Sequence, residues 1–274
     1  MDYQKLLDAN AERGILPADL CRATLYVNPE QVLPDVVIAP WWHPKTLQPQ
    51  QMIPLSDHER ANVKAWQVEI RDQTVTYLQT GIGAPSVMDT VLALGTTACR
   101  TILFIGSVGG LDPAFGIGDL IVPQYSVCGD GASRYIAGDD LGTDVFGARV
   151  TPHDGALMLL QAVGGGVCRR EKVPLYPGRT FSTDSIFAQL AHIDRILGLG
   201  CNSIEMETAA AFRAGKMTGK PLAALLCVSD LPLSNKSLYR GRSEEEQARR
   251  YRVRGEVMPQ ILCDFFQAME GYRG

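Results

Sequence analysis

A chain of 274 residues, 46% hydrophobic and 20% charged, has the composition of an ordinary globular protein and is long enough to bury a substantial core. Its net charge of −4, with no long Lys/Arg run, leaves no basis for a nucleic-acid-binding surface, and no apolar run is long enough to span a bilayer. Seven cysteines (Cys21, Cys99, Cys128, Cys168, Cys201, Cys227, Cys263) without a CxxC pair, and a polar N-terminus without an apolar signal core, predict reduced thiols and a cytoplasmic protein.

In chain order, residues 1–24 read as a short helical extension with Leu6, Leu7 and Ile15 as its apolar positions, ahead of a single domain over 25–274. Asp35–Ala39, stopped by Pro40, reads as a buried strand and Thr74–Thr80 as a second. Pro85 suits the first turn of a helix whose apolar stripe is Val87, Met88, Val91 and Leu92, and Gly95 can end it. Thr101–Ile105 and Asp119–Val122 are further strands, and Gly164-Gly165-Gly166 is expected to be a tight loop. Residues 205–217 read as a helix and Leu222–Val228 as a strand buried on both faces. Ser243 and Glu246 have capping-box spacing for a long last helix that Pro259 should kink. Strands alternating with helices, with neither repeat nor linker, predict an α/β fold.

Two strands open into glycine-rich turns, Gly81-Ile-Gly-Ala-Pro-Ser86 and Gly106-Ser-Val-Gly-Gly-Leu111. Ligands of open α/β sheets collect beyond the carboxyl ends of strands, where glycines let backbone amides approach an anion or a sugar. Ser86 stands where a dinucleotide fingerprint needs its third glycine, and neither turn carries the Gly-Lys-Ser/Thr of a P-loop. Further on come Ile117–Val122, Gly129–Ser133, Phe181-Ser-Thr-Asp-Ser185, Ile204-Glu-Met-Glu-Thr208 and Cys227-Val-Ser-Asp230. In this order the segments closely resemble the purine nucleoside and uridine phosphorylase family, which includes the methylthioadenosine/adenosylhomocysteine nucleosidases. The resemblance covers roughly residues 35–270. It implies a three-layer α/β/α sandwich with a twisted mixed sheet, phosphorylase/hydrolase-like, and a homo-oligomer (a dimer or a trimer of dimers) with active sites near subunit interfaces.

By residue type alone, Glu205 and Glu207 suit the positive end of a helix dipole, and Asp230 suits a turn. The resemblance implies more. Glu207 would bind the ribose hydroxyls, with Met206 packed on the sugar and Glu205 beside them. A carboxylate accepts from two vicinal hydroxyls at once and places negative charge near a cationic, oxocarbenium-like sugar. Asp230 would be the catalytic acid that protonates or hydrogen-bonds N7 of a purine, because a purine anion is a poor leaving group. Ser107 would contact phosphate, with Gly83 in the turn beneath the sugar and anion. Arg240 or Arg242 would stand near the acid, and Ile186 or Phe187 would stack on the base.

The chain departs from the family where phosphate is held. Ala39-Pro-Trp-Trp-His-Pro-Lys45 replaces a Gly-Asp-Pro-x-Arg run, Phe104 occupies a second arginine position, and the His donated by a neighbouring subunit has no counterpart, Leu25 or Tyr26 falling there. Lys45, His43 or Arg100 would have to compensate. Three readings stay open: phosphorolysis of a nucleoside with a rebuilt anion site, phosphate-independent hydrolysis, and an inactive nucleoside-binding protein. No cofactor is called for beyond inorganic phosphate as a possible co-substrate. No metal is expected either, since His43, His58, His153 and His192 lack ligand spacing.

Overall fold

The structure is a computed structural model that describes residues 1–57, 59, 61–234 and 236–273; His58 lies outside them. The strands are β1 (Asp35–Ala39), β2 (Gln51–Pro54), β3 (Lys64–Ile70), β4 (Gln73–Gln79), β5 (Thr101–Gly110), β6 (Leu120–Gly129), β7 (Arg149–Val150), β8 (Leu175–Thr183), β9 (Ser203–Glu205) and β10 (Leu222–Asp230). The helices are α1 (Tyr3–Ala11), α2 (Pro17–Leu25), α3 (Ala84–Leu94), α4 (Asp154–Glu171), α5 (Ile193–Gly198), α6 (Thr208–Thr218), α7 (Glu244–Arg252) and α8 (Met258–Arg273). Among the described residues no helix is long and apolar enough to cross a membrane.

All ten strands join one mixed sheet in the order β10-β6-β8-β9-β5-β1-β4-β3-β2, with β7 on β6. Because β10 also pairs β5, in parallel from Leu222↔Ile102 to Asp230↔Gly109, the strands β5, β9, β8, β6 and β10 close on themselves. The strands β1, β4, β3 and β2 extend from that ring as an open wing.

The period-2 alternation of strand side chains sorts the core into two layers. Val36, Ile38, Ile102, Phe104, Ala224 and Leu226 face one way, with α2, α3 and α6. Val37, Ala39, Leu103, Ile105, Leu225 and Cys227 face the other, with α4 and α8. Helices on both faces of a mixed sheet are the predicted α/β architecture. Residues 1–24 hold α1 and most of α2; the Tyr3 hydroxyl donates to the Leu92 carbonyl at 2.6 Å, and Cys21 is buried against the same core as α3.

Local signals explain most boundaries. Gly83 caps α3 at φ +110, a conformation that favours glycine, and Pro85 follows in the first turn. Ser243 Oγ accepts the Glu246 amide at 3.2 Å while the Glu246 carboxylate accepts the Ser243 amide at 2.9 Å, closing the predicted capping box. Two expectations need correcting. Gly164–Gly166 lie inside α4 rather than in a loop, and an added Cβ at Gly164 would stand 3.2 Å from Leu175, so close packing on β8 accounts for that glycine. The disturbance expected at Pro259 falls one turn earlier, as a π turn over Val253–Val257, which relieves the clash between the proline ring and the carbonyl four residues before it.

Candidate active site

The closed ring brings the carboxyl ends of β5, β9 and β10 together, beside the turn that precedes α3. A cavity of about 410 Å³ opens there, a volume suited to a small-molecule ligand. Glu207, Met206, Asp230, Ser107, Arg242 and Ile186 stand in its wall.

Residues 205–217 are not one helix. Glu205 ends β9 and Glu207 is the N-cap of α6, because the Glu205 carboxylate caps the helix itself. Its Oε2 accepts the amides of Glu207 at 2.7 Å and Thr208 at 2.8 Å. Its Oε1 accepts the hydroxyls of Ser182 at 2.6 Å and Thr208 at 2.8 Å. Four donors satisfy a buried carboxylate and hold its charge in place. The side chain of Glu205 is therefore a framework for its neighbour. Glu207 is 6% exposed and its carboxyl accepts the Gly83 amide at 2.7 Å.

Burial pushes both carboxyls upward, and the Glu205 charge adds to the effect on Glu207, which is raised to about 8. The unfolded chain ionises Glu207 near its ordinary value of 4.5, so the native state loses stability as pH climbs from 4.5 to about 8. Glu207→Gln removes that loss. The Tm advantage of the variant over wild type should therefore grow from pH 5 to pH 8 and level off above; thermal melts across that range check it, and a constant difference would contradict it.

Asp230 ends β10 and is 3% exposed. Its Oδ1 accepts the Ser229 hydroxyl at 2.6 Å. Desolvation raises its pKa above the usual carboxylate range, against the opposing pull of Ser229, Arg242, the Leu238 amide and Arg250. A carboxyl whose pKa is raised by burial at a cavity wall is better placed to hold and donate a proton. Arg242 donates from Nε to the Ser229 carbonyl, which ties the following loop to the strand end.

The structure thus brings Glu205, Glu207, Met206, Asp230, Ser107, Ile186 and Arg242 together. Other expected residues stand apart. Phe187 is 92% exposed, and Ile186 takes the wall position next to it. Arg240 is exposed on the loop after β10. Lys45 is exposed on a short 3-10 turn (Pro44–Leu47), where His43 Nδ1 accepts its amide at 3.2 Å. His43 lies edge-on to Trp66, and Arg100 is exposed at the amino end of β5, away from the cavity. The Gly83 amide is occupied by Glu207 and is not offered to an anion. Phe104 is 1% exposed in the α3/α6 layer.

Sequence reasoning missed Arg250, Trp41 and Gln189, all in the cavity wall. Arg250 had a legible signal, since its i, i+4 spacing from Arg254 puts both on one side of the last helical segment.

Residues 45–266 match the family model of the phosphorylase superfamily. The uridine phosphorylase of Salmonella typhimurium strain LT2 is 38% identical over 73 residues, 27% of this chain and 29% of that protein, so the aligned stretch spans under a third of this curated relative. An AMP nucleosidase structure from Bacteroides thetaiotaomicron superposes with a TM-score of 0.70 at 14% identity, covering 94% of this chain and 97% of the other. A uridine phosphorylase structure from Vibrio fischeri gives 0.66 at 20% identity, with 91% and 95% coverage. Both likenesses are of fold.

Proposed function

The chain belongs to the phosphorylase superfamily, and on that premise we propose that it is an enzyme cleaving the N-glycosidic bond of a purine-type nucleoside by phosphorolysis. One observation carries the reading: Glu207 and Asp230, on different elements, stand in the wall of the same cavity. Glu207 accepts from the two vicinal ribose hydroxyls, Met206 packs on the sugar, and Ile186 lies against the base. As the C1′–N9 bond breaks, its electron pair passes into the purine and Asp230 delivers a proton to N7. A phosphate oxygen forms the new bond to C1′, and the proton of hydrogen phosphate restores the Asp230 acid. The products are the free base and ribose 1-phosphate.

The uridine phosphorylase and AMP nucleosidase likenesses support a nucleoside or nucleotide as the substrate class. Asp230 supports a purine-type base, because it supplies an acid where a purine nitrogen needs one. A homo-oligomer belongs to the same proposal. Trp41 and Ile82 line the cavity yet are 71% and 50% exposed, a surface that a second copy would cover. A cytoplasmic setting is supported by the buried, free thiols of Cys21, Cys128, Cys168, Cys201, Cys227 and Cys263. The reaction calls for no metal and no organic cofactor.

Hydrolysis by water is the second reading. It is favoured by the burial of Phe104 and the outward position of Lys45 and Arg100. Incubation with inosine, adenosine, uridine and methylthioadenosine, each with and without phosphate, separates the two. Release of a purine base only when phosphate is present is the expected result. Release without phosphate would move the assignment to a nucleosidase, and cleavage of uridine alone would remove the purine assignment. No release from any substrate would sink the proposal.

A further inference from the structure

Ser107 follows Leu103 and Ile105 at even spacing on β5, which turns it to the face covered by α4 and α8 rather than to the face of Phe104. Its Oγ accepts from Trp42 Nε1 at 3.1 Å and from an Nη of Arg250 at 3.2 Å. A hydroxyl has two lone pairs and one proton. With both lone pairs taken, the Ser107 proton is left for an acceptor on the cavity side.

Arg250, near the end of α7, stands in the same wall, and its buried Nε has no hydrogen-bond partner among the described residues. Its neighbours differ. Arg249 pairs with Asp119 and Arg252 with Glu171, whereas Arg242, Arg250 and Arg254 take part in no ion pair among the described residues. Arg254, one turn further on, stacks over Trp42 at 4.2 Å and donates to Thr46 at 3.2 Å. Burial depresses Arg250, with repulsion from Arg242 adding to it and Cys227, Tyr251 and Asp230 opposing it, while burial and then repulsion from Arg250 push Arg254 down to about 10. Partly desolvated like charges that form no ion pair, with only a carboxyl of raised pKa (Asp230) in the same wall, are unfavourable until an anion neutralises them. A guanidinium offers parallel N–H donors that match two oxygens of a tetrahedral oxyanion.

We infer that Ser107, Arg250 and Arg242 form the binding site for inorganic phosphate, with Arg254 and Trp42 as positioning residues behind them. Helix α7 thereby supplies the guanidinium that position 104 and the segment 40–45 lack. The choice of phosphate rests on the phosphorolytic reading; the existence of an oxyanion site does not.

The test is calorimetric titration of the full-length protein with inorganic phosphate. Wild type should bind saturably, and Arg250→Met should raise the Kd roughly 10–100-fold, as expected for loss of a charged hydrogen bond. Arg252→Met, whose guanidinium pairs with Glu171, should bind like wild type. Arg250→Lys, which keeps the charge and loses the fork, should also weaken binding and serves if Arg250→Met fails to fold. Equal binding by wild type and the Arg250 variants, or no phosphate binding at all, overturns the inference. Phosphate binding that depends on Arg250 in a protein that cleaves no nucleoside upholds the site and removes only the proposed reaction. Titration with a nucleoside 5′-monophosphate distinguishes the other source of the same chemistry. Arg250-dependent binding of the ester without binding of free phosphate overturns the assignment to inorganic phosphate.

Discussion

Glu207→Ala is expected to lower kcat/KM for the nucleoside about 10²–10⁴-fold, the loss of two charge-assisted hydrogen bonds to vicinal hydroxyls. Glu207, raised to about 8, is drawn to its ionised form by a sugar that becomes cationic in the transition state, and the same change removes that charge, so kcat should fall together with kcat/KM. Glu207→Gln keeps an acceptor without the charge and should fall between alanine and wild type. Steady-state kinetics with purified variants measures this, alongside thermal melts, because the Gly83 amide also loses its acceptor. A variant that melts normally and turns over like wild type would take Glu207 out of the site. Glu205 behaves differently. Its four donors make it structural, so its loss should appear first in stability.

Asp230→Asn should cut kcat on purine nucleosides about 10²-fold or more, within the usual range for removal of a general acid. The carboxyl is hidden at a strand end, with Ser229 already bound to it, and asparagine preserves the shape while losing the transferable proton. The leaving group provides the control. A nitrophenyl riboside departs as a stable phenolate and needs no proton, so it should lose far less. Equal losses on the two substrates would show that Asp230 acts on the fold and not on the base. Because burial raises this acid, wild-type turnover should persist above the usual carboxylate range and decline once the pH passes the raised value.

The parts legible in the sequence were those governed by local pattern. The apolar run Leu222–Val228 could only be a strand buried on both faces, and the Gly83-Ala-Pro85 start of α3 follows from backbone preferences alone. Motif order brought Glu207, Met206, Asp230 and Ser107 to one place, and the cavity contains all four. What escaped depends on contacts distant in sequence. Gly164–Gly166 read as loop chemistry, yet the helix survives because Gly164 lets β8 and α8 approach closely. The break between β9 and α6 depends on Ser182 and on the Glu207 and Thr208 amides that meet Glu205, which no helical period reveals. Arg250 lies 143 positions from Ser107, so its arrival at the β5 turn is a property of the topology. Phe104 was legible as a missing arginine, but the replacement from α7 was not.

In the proposed reaction two acids, Glu207 and Asp230, hold opposite ends of one ligand. A crystal structure with bound inosine and phosphate tests this most directly. It should show the ribose 2′ and 3′ hydroxyls on the Glu207 carboxylate and purine N7 on Asp230, each within hydrogen-bonding distance. A nucleoside seated outside this cavity, or one whose sugar and base make no contact with either acid, would contradict it.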